Sequence, residues 1–351
     1  MEGDRVFEFD DWCNSMSYWK GDFQYKEKIK SFLSNTQWKK LRDGVFENFF
    51  RLQGVKFCGR LIHCVLLSEI VSNDSHSMTF KVFDHEVKFT REAFQIITGL
   101  KYSSSVDFKV LHERENRLSK VHFPGKDRIE LGDLWYFITS HPYGTTASFV
   151  GGHDDAVKLA IIYFVESVLM GKHKNQNVSE RVMKIVNDDE LCSSFNWGSL
   201  SYEKLLKSLK SCLKPKQNTS DNENKNEKEK DKEKDSYTIL GFPFAFYVWI
   251  MEVFPIFQEK QFVNFRECGF PRMLCYSDMK SPHYGTLCKK YFHNEKLYQL
   301  LEMVPFISSK VDAQPTSVHV PLSQDQSSMP STQFDEVLLK EIVNIFCFYG
   351  F

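Results

Sequence analysis

Residues 241–252 read Gly-Phe-Pro-Phe-Ala-Phe-Tyr-Val-Trp-Ile-Met-Glu, and this stretch decides how the surrounding chain folds. It lies at the end of an uncharged run that covers residues 237–251. That run is shorter than the about 20 apolar residues that a membrane-spanning helix needs, and it contains a glycine and a proline. Because proline suits the first turn of a helix, the sequence predicts a buried core helix that begins near Pro243.

Two further segments show the same core-forming character. Val87–Leu100 joins an alternating strand pattern to a short helix, and Asp155–Phe164 lies in the most apolar helical pattern of the chain. The Thr90 hydroxyl is expected to cap the short helix, and Gly99 is expected to end it in a left-handed conformation. None of the three segments contains a residue pattern typical of a catalytic or binding site, so they predict structure and leave the function open.

The bulk composition favours a globular protein with an aromatic core. The chain has 351 residues, of which 42% are hydrophobic and 15% aromatic, with 32 phenylalanines. The formal net charge is −1, which argues against a dedicated binder of phosphate backbones, because such proteins usually carry a basic surplus. Nine cysteines without regular spacing and a start without an apolar signal core predict reduced thiols in the cytosol or nucleus.

The residue patterns predict an α+β fold, a mostly helical domain with a small antiparallel hairpin. Amphipathic patterns indicate helices over Trp38–Leu52 and Arg60–Ile70. Period-two alternation indicates strands over residues 78–82 and 85–89, with a tight turn at Asp84-His85.

Changes in composition predict the domain organisation. Residues 227–235 alternate acid and base without one apolar side chain, so they cannot bury enough surface to offset the entropy of ordering. We therefore expect a polar and aromatic N-terminal segment (1–39), one domain built from 40–213 and 237–300, a disordered charged insert (214–236) and a mostly loose tail (301–351).

Six short motifs follow one another along the chain: Lys56–His63, Phe89–Leu100, Asp188-Asp189, Trp197-Gly198, Glu252–Pro255 and Pro271–Leu274. As a set in this order they resemble a plant domain-of-unknown-function family. Proteins of that family are mostly encoded by, or descended from, Mutator-like transposable elements, and the domain often precedes a protease domain that cleaves SUMO and similar modifiers. The resemblance covers about residues 40–276 and implies an intracellular protein, with the nucleus favoured.

The protease half of such proteins is not evident in this chain. A modifier protease needs a cysteine nucleophile, a histidine base and a glutamine that assists the oxyanion hole. In the modifier proteases a glutamine precedes an Asp-Cys-Gly motif, and Gln261 followed by Glu267-Cys268-Gly269 is partly similar to this pattern. However, Glu replaces Asp, and the upstream His-Trp is missing. We therefore expect no catalytic residue, and a vestigial or truncated cysteine protease using Cys268 remains the alternative.

Cysteines and histidines also cluster near the C-terminal end of the stretch that carries the resemblance, and such a cluster can bind a metal ion. Cys275, His283 and Cys288 are the candidate zinc ligands, with Cys268 and His293 nearby. Structural zinc sites usually take two ligands from short Cys-x-x-Cys arms, and the gaps here are longer. The expectation is therefore no metal and no cofactor.

Residues 20–42 carry seven basic side chains interleaved with Tyr25, Phe32 and Trp38. Such interleaving can hold phosphates and stack bases, although a solvated helix face produces the same pattern. The main functional expectation is a non-catalytic interaction or scaffold domain with an unknown protein partner and no membrane span. A nucleic-acid-binding module is a second alternative.

Overall fold

The fold is taken from a computed structural model, which describes residues 4–7, 16–54, 56–83, 85–103, 108–111, 113–141, 152–213, 236–258, 262–266, 268–280, 283–287 and 291–292. The predicted disordered insert, apart from residue 236, and the predicted loose tail lie outside the described residues.

The described part of the chain is a mostly helical α+β fold, as predicted from the sequence. Its α-helices are α1 (Tyr25–Phe32), α2 (Asn35–Arg42), α3 (Glu47–Arg51), α4 (Gly59–Leu66), α5 (Arg91–Thr98), α6 (Arg117–His122), α7 (Leu131–Ser140), α8 (Gly152–Phe164), α9 (Glu180–Asn187), α10 (Asp189–Ser194), α11 (Trp197–Cys212), α12 (Pro243–Val253) and α13 (Tyr284–Leu287). Its strands are β1 (Met16–Trp19), β2 (Glu69–Ile70), β3 (Met78–Val82), β4 (His85–Phe89), β5 (Ser236–Ile239), β6 (Asn264–Phe265) and β7 (Tyr276–Ser277).

Helix α12 is the core helix that residues 241–252 predict. It begins at Pro243, and every residue from Pro243 to Met251 is buried. The Trp249 ring stacks on Phe246 at 5.3 Å between centroids and contacts Phe80 and Phe89 of the sheet at 5.6 and 5.4 Å. The sheet therefore packs on this helix through aromatic rings, which bury large apolar areas.

The predicted hairpin is part of a three-stranded antiparallel sheet with the order β2-β3-β4. Val82 pairs with His85, so His85 belongs to strand β4 and the prediction that placed it in the turn is wrong. Phe83 takes the left-handed conformation there, with φ of 51°. Strand β2 was not predicted.

Strand β2 also shortens a predicted helix. The pattern over Arg60–Ile70 predicted one helix, but α4 ends at Leu66 and the chain then pairs Glu69 with Phe80 and Ile70 with Thr79. A buried isoleucine such as Ile70 fits the pattern of a helix as well as that of a strand, so the pairing with β3 determines which conformation it takes.

A second predicted helix is divided into two in the structure, and the residues at the break explain why. The pattern over Trp38–Leu52 predicted one helix, but α2 ends at Arg42 and α3 begins at Glu47. Asp43 and Gly44, two poor helix formers, fall between them and let the chain turn. Thr90 and Gly99 behave as predicted: Thr90 Oγ1 accepts a hydrogen bond from Ala93 N at 3.2 Å, and Gly99 has φ of 73°.

A two-stranded parallel pair, which was not predicted, joins the N-terminal segment to the chain after the insert. Strand β1 pairs with β5, and Trp19 Nε1 donates a hydrogen bond to Gly241 O at 2.9 Å. Gly241 has φ of 84°, and a Cβ added at Gly171 would lie 2.6 Å from the Gly241 carbonyl oxygen. Only glycine permits such a close backbone approach, and from residue 16 onward the N-terminal segment is built into the domain.

The motifs that carry the family resemblance contact one another in the fold. Arg272 Nε donates to Glu252 Oε1 at 2.7 Å, and Tyr276 OH donates to the same oxygen at 2.8 Å. A Cβ added at Gly99 would lie 3.2 Å from Pro271 Cβ, so Gly99 allows α5 to approach the Pro271–Leu274 motif. These motif residues act as structural contacts between segments that are distant in sequence.

Trp249→Ala tests the central role of α12. The side chain is fully buried, so its removal should cost about 3–5 kcal/mol of unfolding free energy through lost burial and the resulting cavity. Urea unfolding followed by circular dichroism measures this cost. The control, Tyr136→Ala, removes a side chain that is 75% exposed and should change stability by less than about 0.5 kcal/mol. Equal stability of the two variants would contradict the packing described for α12.

Candidate interaction cleft

The candidate nucleophile Cys268 is joined to Cys275 by a disulfide. This contradicts the expectation of reduced thiols for these two cysteines. A disulfide sulfur is neither a thiolate nucleophile nor a zinc ligand, so in this state Cys268 lacks the protease chemistry and Cys275 lacks the metal-binding chemistry that the sequence raised.

The other candidates from that region are not assembled into a site in the described residues. His283 is exposed, and its Nδ1 accepts a hydrogen bond from Gly285 N at 3.2 Å. Gln261, Cys288 and His293 lie outside the described residues. Within the described ranges, no group of three or more histidine, cysteine, aspartate or glutamate side chains has an arrangement that could hold a metal ion.

The basic and aromatic residues of segment 20–42 point in different directions. Tyr25 and Phe32 are buried at 3% and 4% exposure, and Trp38 packs edge-on against Phe50 at 5.4 Å between ring centroids. Tyr25 and Phe32 belong to the core and Trp38 is half-buried against it, so the three rings do not form the exposed base-stacking platform that the sequence suggested. Four of the basic side chains have protein partners: Lys26 with Leu52 O, Lys28 with Asp22, Lys40 with Asp154 and Arg42 with Asp43.

An apolar cleft of about 190 Å³ opens where α2 and the turn after it meet α8, α9 and α10. Helix α8 contributes Asp154, Val157, Lys158 and Ile161, whose spacing places them on one face of the helix. Val45 and Ile161 are partly exposed in the cleft. The remaining lining residues are Lys40, Leu41, Gly44, Phe46, Val186, Asp189, Cys192 and Ser193.

Two ion pairs tie the walls of the cleft together. Lys40 Nζ lies 2.8 Å from Asp154 Oδ1 and joins α2 to α8. Lys158 Nζ lies 3.3 Å from Asp189 Oδ1 and donates a hydrogen bond to Asn187 O at 2.6 Å, which joins α8 to the α9–α10 junction. Charged groups therefore rim an apolar floor.

Asp188 shapes the far wall of the cleft. It is extended, ends α9 and caps α10, because its Oδ1 accepts a hydrogen bond from Leu191 N at 2.9 Å. Its other oxygen accepts from Arg114. The backbone hydrogen bond from Leu191, together with Arg114, holds the pKa of Asp188 below its usual value. The Asp188-Asp189 motif is thus a helix junction, with Asp189 facing the cleft.

A polar cavity of about 280 Å³ lies on the other side of this junction, lined by Arg114, Glu115, Arg117, Lys184, Asn187 and Asp188. Arg117 bonds Asp155 and donates from Nε to Asn187 Oδ1 at 3.1 Å. Asp155 also accepts a hydrogen bond from His122 Nε2 at 2.7 Å, and both of these side chains are buried. Arg114 pairs with Asp188 within this cavity, and the contacts of Arg117 with Asp155 and Asn187 hold α6 against α8 and α9.

Among the lining residues of the cleft there is one thiol, and it is not activated as a nucleophile. Cys192 carries this thiol, and burial together with the Asp189 carboxylate raises its pKa to about 12. The thiol is therefore protonated at neutral pH and unreactive. The cleft could not be recognised as a site from sequence patterns, because its residues come from α2 and the segment after it and from helices more than 100 residues later. The Asp188-Asp189 motif was the one local signal.

Residues 66–208 match the family model described as Domain of unknown function (DUF1985), which supports the resemblance to a domain-of-unknown-function family. The match covers three walls of the cleft, whereas Lys40–Phe46 of the fourth wall precede it. No curated protein and no solved structure is significantly similar to the chain. Among the described residues, no helix is both long and apolar enough to cross a membrane.

Asp155→Asn tests the buried ion-pair network. Burial by itself raises the pKa of Asp155, but hydrogen bonds from His122 and Arg117 and the guanidinium charge outweigh it and leave the pKa lowered. The stabilisation is therefore complete above the unfolded pKa, about 3.9, and is lost as the pH falls through the lower folded value. At pH 7 the variant should lose about 1–3 kcal/mol in urea unfolding.

The pH dependence distinguishes this network from simple packing. The stability difference between the wild type and Asp155→Asn should shrink as the pH falls below about 4. The control Asp127→Asn changes an exposed carboxylate and should have little effect at either pH. A difference that stays constant down to acid pH would show that the Asp155 charge contributes nothing.

Proposed function

We propose that this chain is a non-catalytic protein-interaction domain that binds a partner through the apolar cleft. The observation that carries the proposal is the partly exposed apolar lining at Val45 and Ile161, held open between two ion pairs. Pockets for drug-sized ligands or cofactors have volumes of ~300–1,000 Å³. A cleft of about 190 Å³ is smaller and suits one apolar side chain of a partner, the usual form of an interface anchor.

The resemblance supports a proposal about the kind of protein and the cellular compartment in which this domain acts. Members of the family are mostly products or descendants of Mutator-like transposable elements in plants, and the domain often stands before a SUMO-type protease domain. We infer that this chain acts in the same setting, in the nucleus, as a scaffold or targeting domain. Affinity capture from plant nuclei, compared between the wild type and a cleft variant, tests this setting.

The cleft is tested with two arginine substitutions and a matched control. Val45→Arg and Ile161→Arg each place a long charged side chain where the partner's anchor would sit. Binding of peptides selected by phage display on the full chain should weaken by roughly tenfold or more, the equivalent of about 1.4 kcal/mol. Val71→Arg changes a valine that is 39% exposed and does not line the cleft.

The control defines the outcomes. Peptide binding by Val71→Arg should stay within about twofold of the wild type, because surface changes away from an interface contribute little. Thermal melting of all three variants confirms that they are folded. If no peptide is selected, or if Val45→Arg and Val71→Arg bind selected peptides equally, the cleft is not the interaction site.

A separate experiment addresses catalysis. The purified chain should not hydrolyse a SUMO precursor or ubiquitin-linked substrate, because the Cys268 sulfur is bonded to Cys275. The assay is run with and without a thiol reductant, and Cys268→Ser serves as the control. Turnover in the reduced sample that disappears in Cys268→Ser would identify a redox-masked cysteine protease and overturn the non-catalytic assignment.

A further inference from the structure

The charges that rim the apolar cleft are unequally exposed. The side chains of Asp154 and Asp189 are 73% and 70% exposed, whereas Lys158 is 15% exposed and Lys40 is 54% exposed. Lys158 directs its ammonium inward, to Asn187 O and Asp189. An approaching partner therefore meets two accessible carboxylates and one accessible ammonium.

Both carboxylates keep acceptor capacity for a partner. An ionised carboxylate offers about four lone-pair sites, and in the structure Asp154 binds one ammonium, that of Lys40. Asp189 binds Lys158 at 3.3 Å, a long contact that leaves most of its surface to solvent. The Lys40 side chain holds Asp154 beside the floor, and this bond together with the Lys40 charge lowers the pKa of Asp154. Asp154 is therefore negative at neutral pH.

The two carboxylates stand on different walls around the same apolar floor. Asp154 precedes Val157 and Ile161 on the exposed face of α8, and Asp189 precedes Cys192 on α10. A ligand whose apolar side chain enters between these walls has its neighbouring residues near one or both carboxylates. Basic neighbours would gain charge-assisted hydrogen bonds, and acidic neighbours would be repelled.

Resting on the proposed interaction function, we propose that the occupant of the cleft is a basic peptide segment of a partner protein. Its anchor is one aliphatic or aromatic side chain, flanked by lysine or arginine. The apolar floor supplies affinity for the anchor, and Asp154 and Asp189 select the flanks. Selection by charge favours one class of partner segment and disfavours acidic segments with the same anchor.

The test compares three peptide libraries displayed against the immobilised full chain. All three carry the same set of apolar anchors, and their flanks are basic, neutral polar or acidic. We expect enrichment of the basic library and a fall in affinity as salt is added, because exposed ion pairs are screened. The salt titration uses the unmodified chain and so does not depend on any variant folding.

Charge-removing variants identify the residues responsible. Asp154→Asn and Asp189→Asn should each weaken binding of the best basic peptide by roughly twofold to fivefold, the range that exposed ion pairs contribute. Asp127→Asn, an exposed carboxylate outside the cleft, should leave binding unchanged. Binding of a neutral peptide with the same anchor should not respond to any of the three.

The possible results separate this proposal from the more general one. Equal enrichment of the three libraries, enrichment of the acidic one, or binding of basic peptides that ignores Asp154→Asn and Asp189→Asn would overturn the basic-peptide proposal. In each of those cases sensitivity to Val45→Arg would still support the cleft as an interaction site. Failure of all three libraries to bind would overturn the interaction function itself.

Discussion

Helix α12 requires cover on every side, and the rest of the described fold supplies it. Its sequence from Pro243 to Met251 contains no charged residue, and all of these residues are buried. A helix that is apolar all round cannot lie on the surface of a protein in water. The three-stranded sheet packs on Phe246 and Trp249, and α5 and α4 also lie against this helix. The abundance of phenylalanine follows from the same requirement, since most of the rings around α12 contact other rings.

This arrangement explains why the family motifs contain so little chemistry. Glu252 and Arg272 form an ion pair, Gly99 lies against Pro271, and Phe89 contacts Trp249. Each of these three contacts therefore joins two segments of the domain. The residues proposed to bind a partner are different ones, in the segment after α2 and on the outer faces of α8 and α10. Among the motifs, Asp188-Asp189 alone belongs to both groups. In this domain the motifs indicate which segments contact each other. The binding surface has to be identified from the positions of residues in the folded structure.

What could be predicted from the sequence depended on whether the signal was local. The burial of α12, the cap at Thr90 and the left-handed Gly99 follow from neighbouring residues, and the structure agrees with each. Residues 69–70 continue a helical pattern but form a strand, because β3 supplies a pairing partner that the sequence window does not show. The rings of Tyr25 and Phe32 were candidates for base stacking because they are interleaved with basic residues in the sequence, yet the core covers them. The cleft could not be predicted because its walls are brought together only by the fold.

The parallel pairing of β1 with β5 places a condition on how the protein is made. Trp19 and Gly241, which share a hydrogen bond, are separated by 222 positions in the chain. At a synthesis rate of ~5–20 residues per second, the ribosome needs roughly 11–44 s to produce the partner of β1 after β1 itself has been made. During that interval the backbone groups of β1 that later bond to β5 face solvent or other proteins. The strand is thus synthesised long before the strand with which it pairs, and chaperones have access to its unpaired edge in that interval.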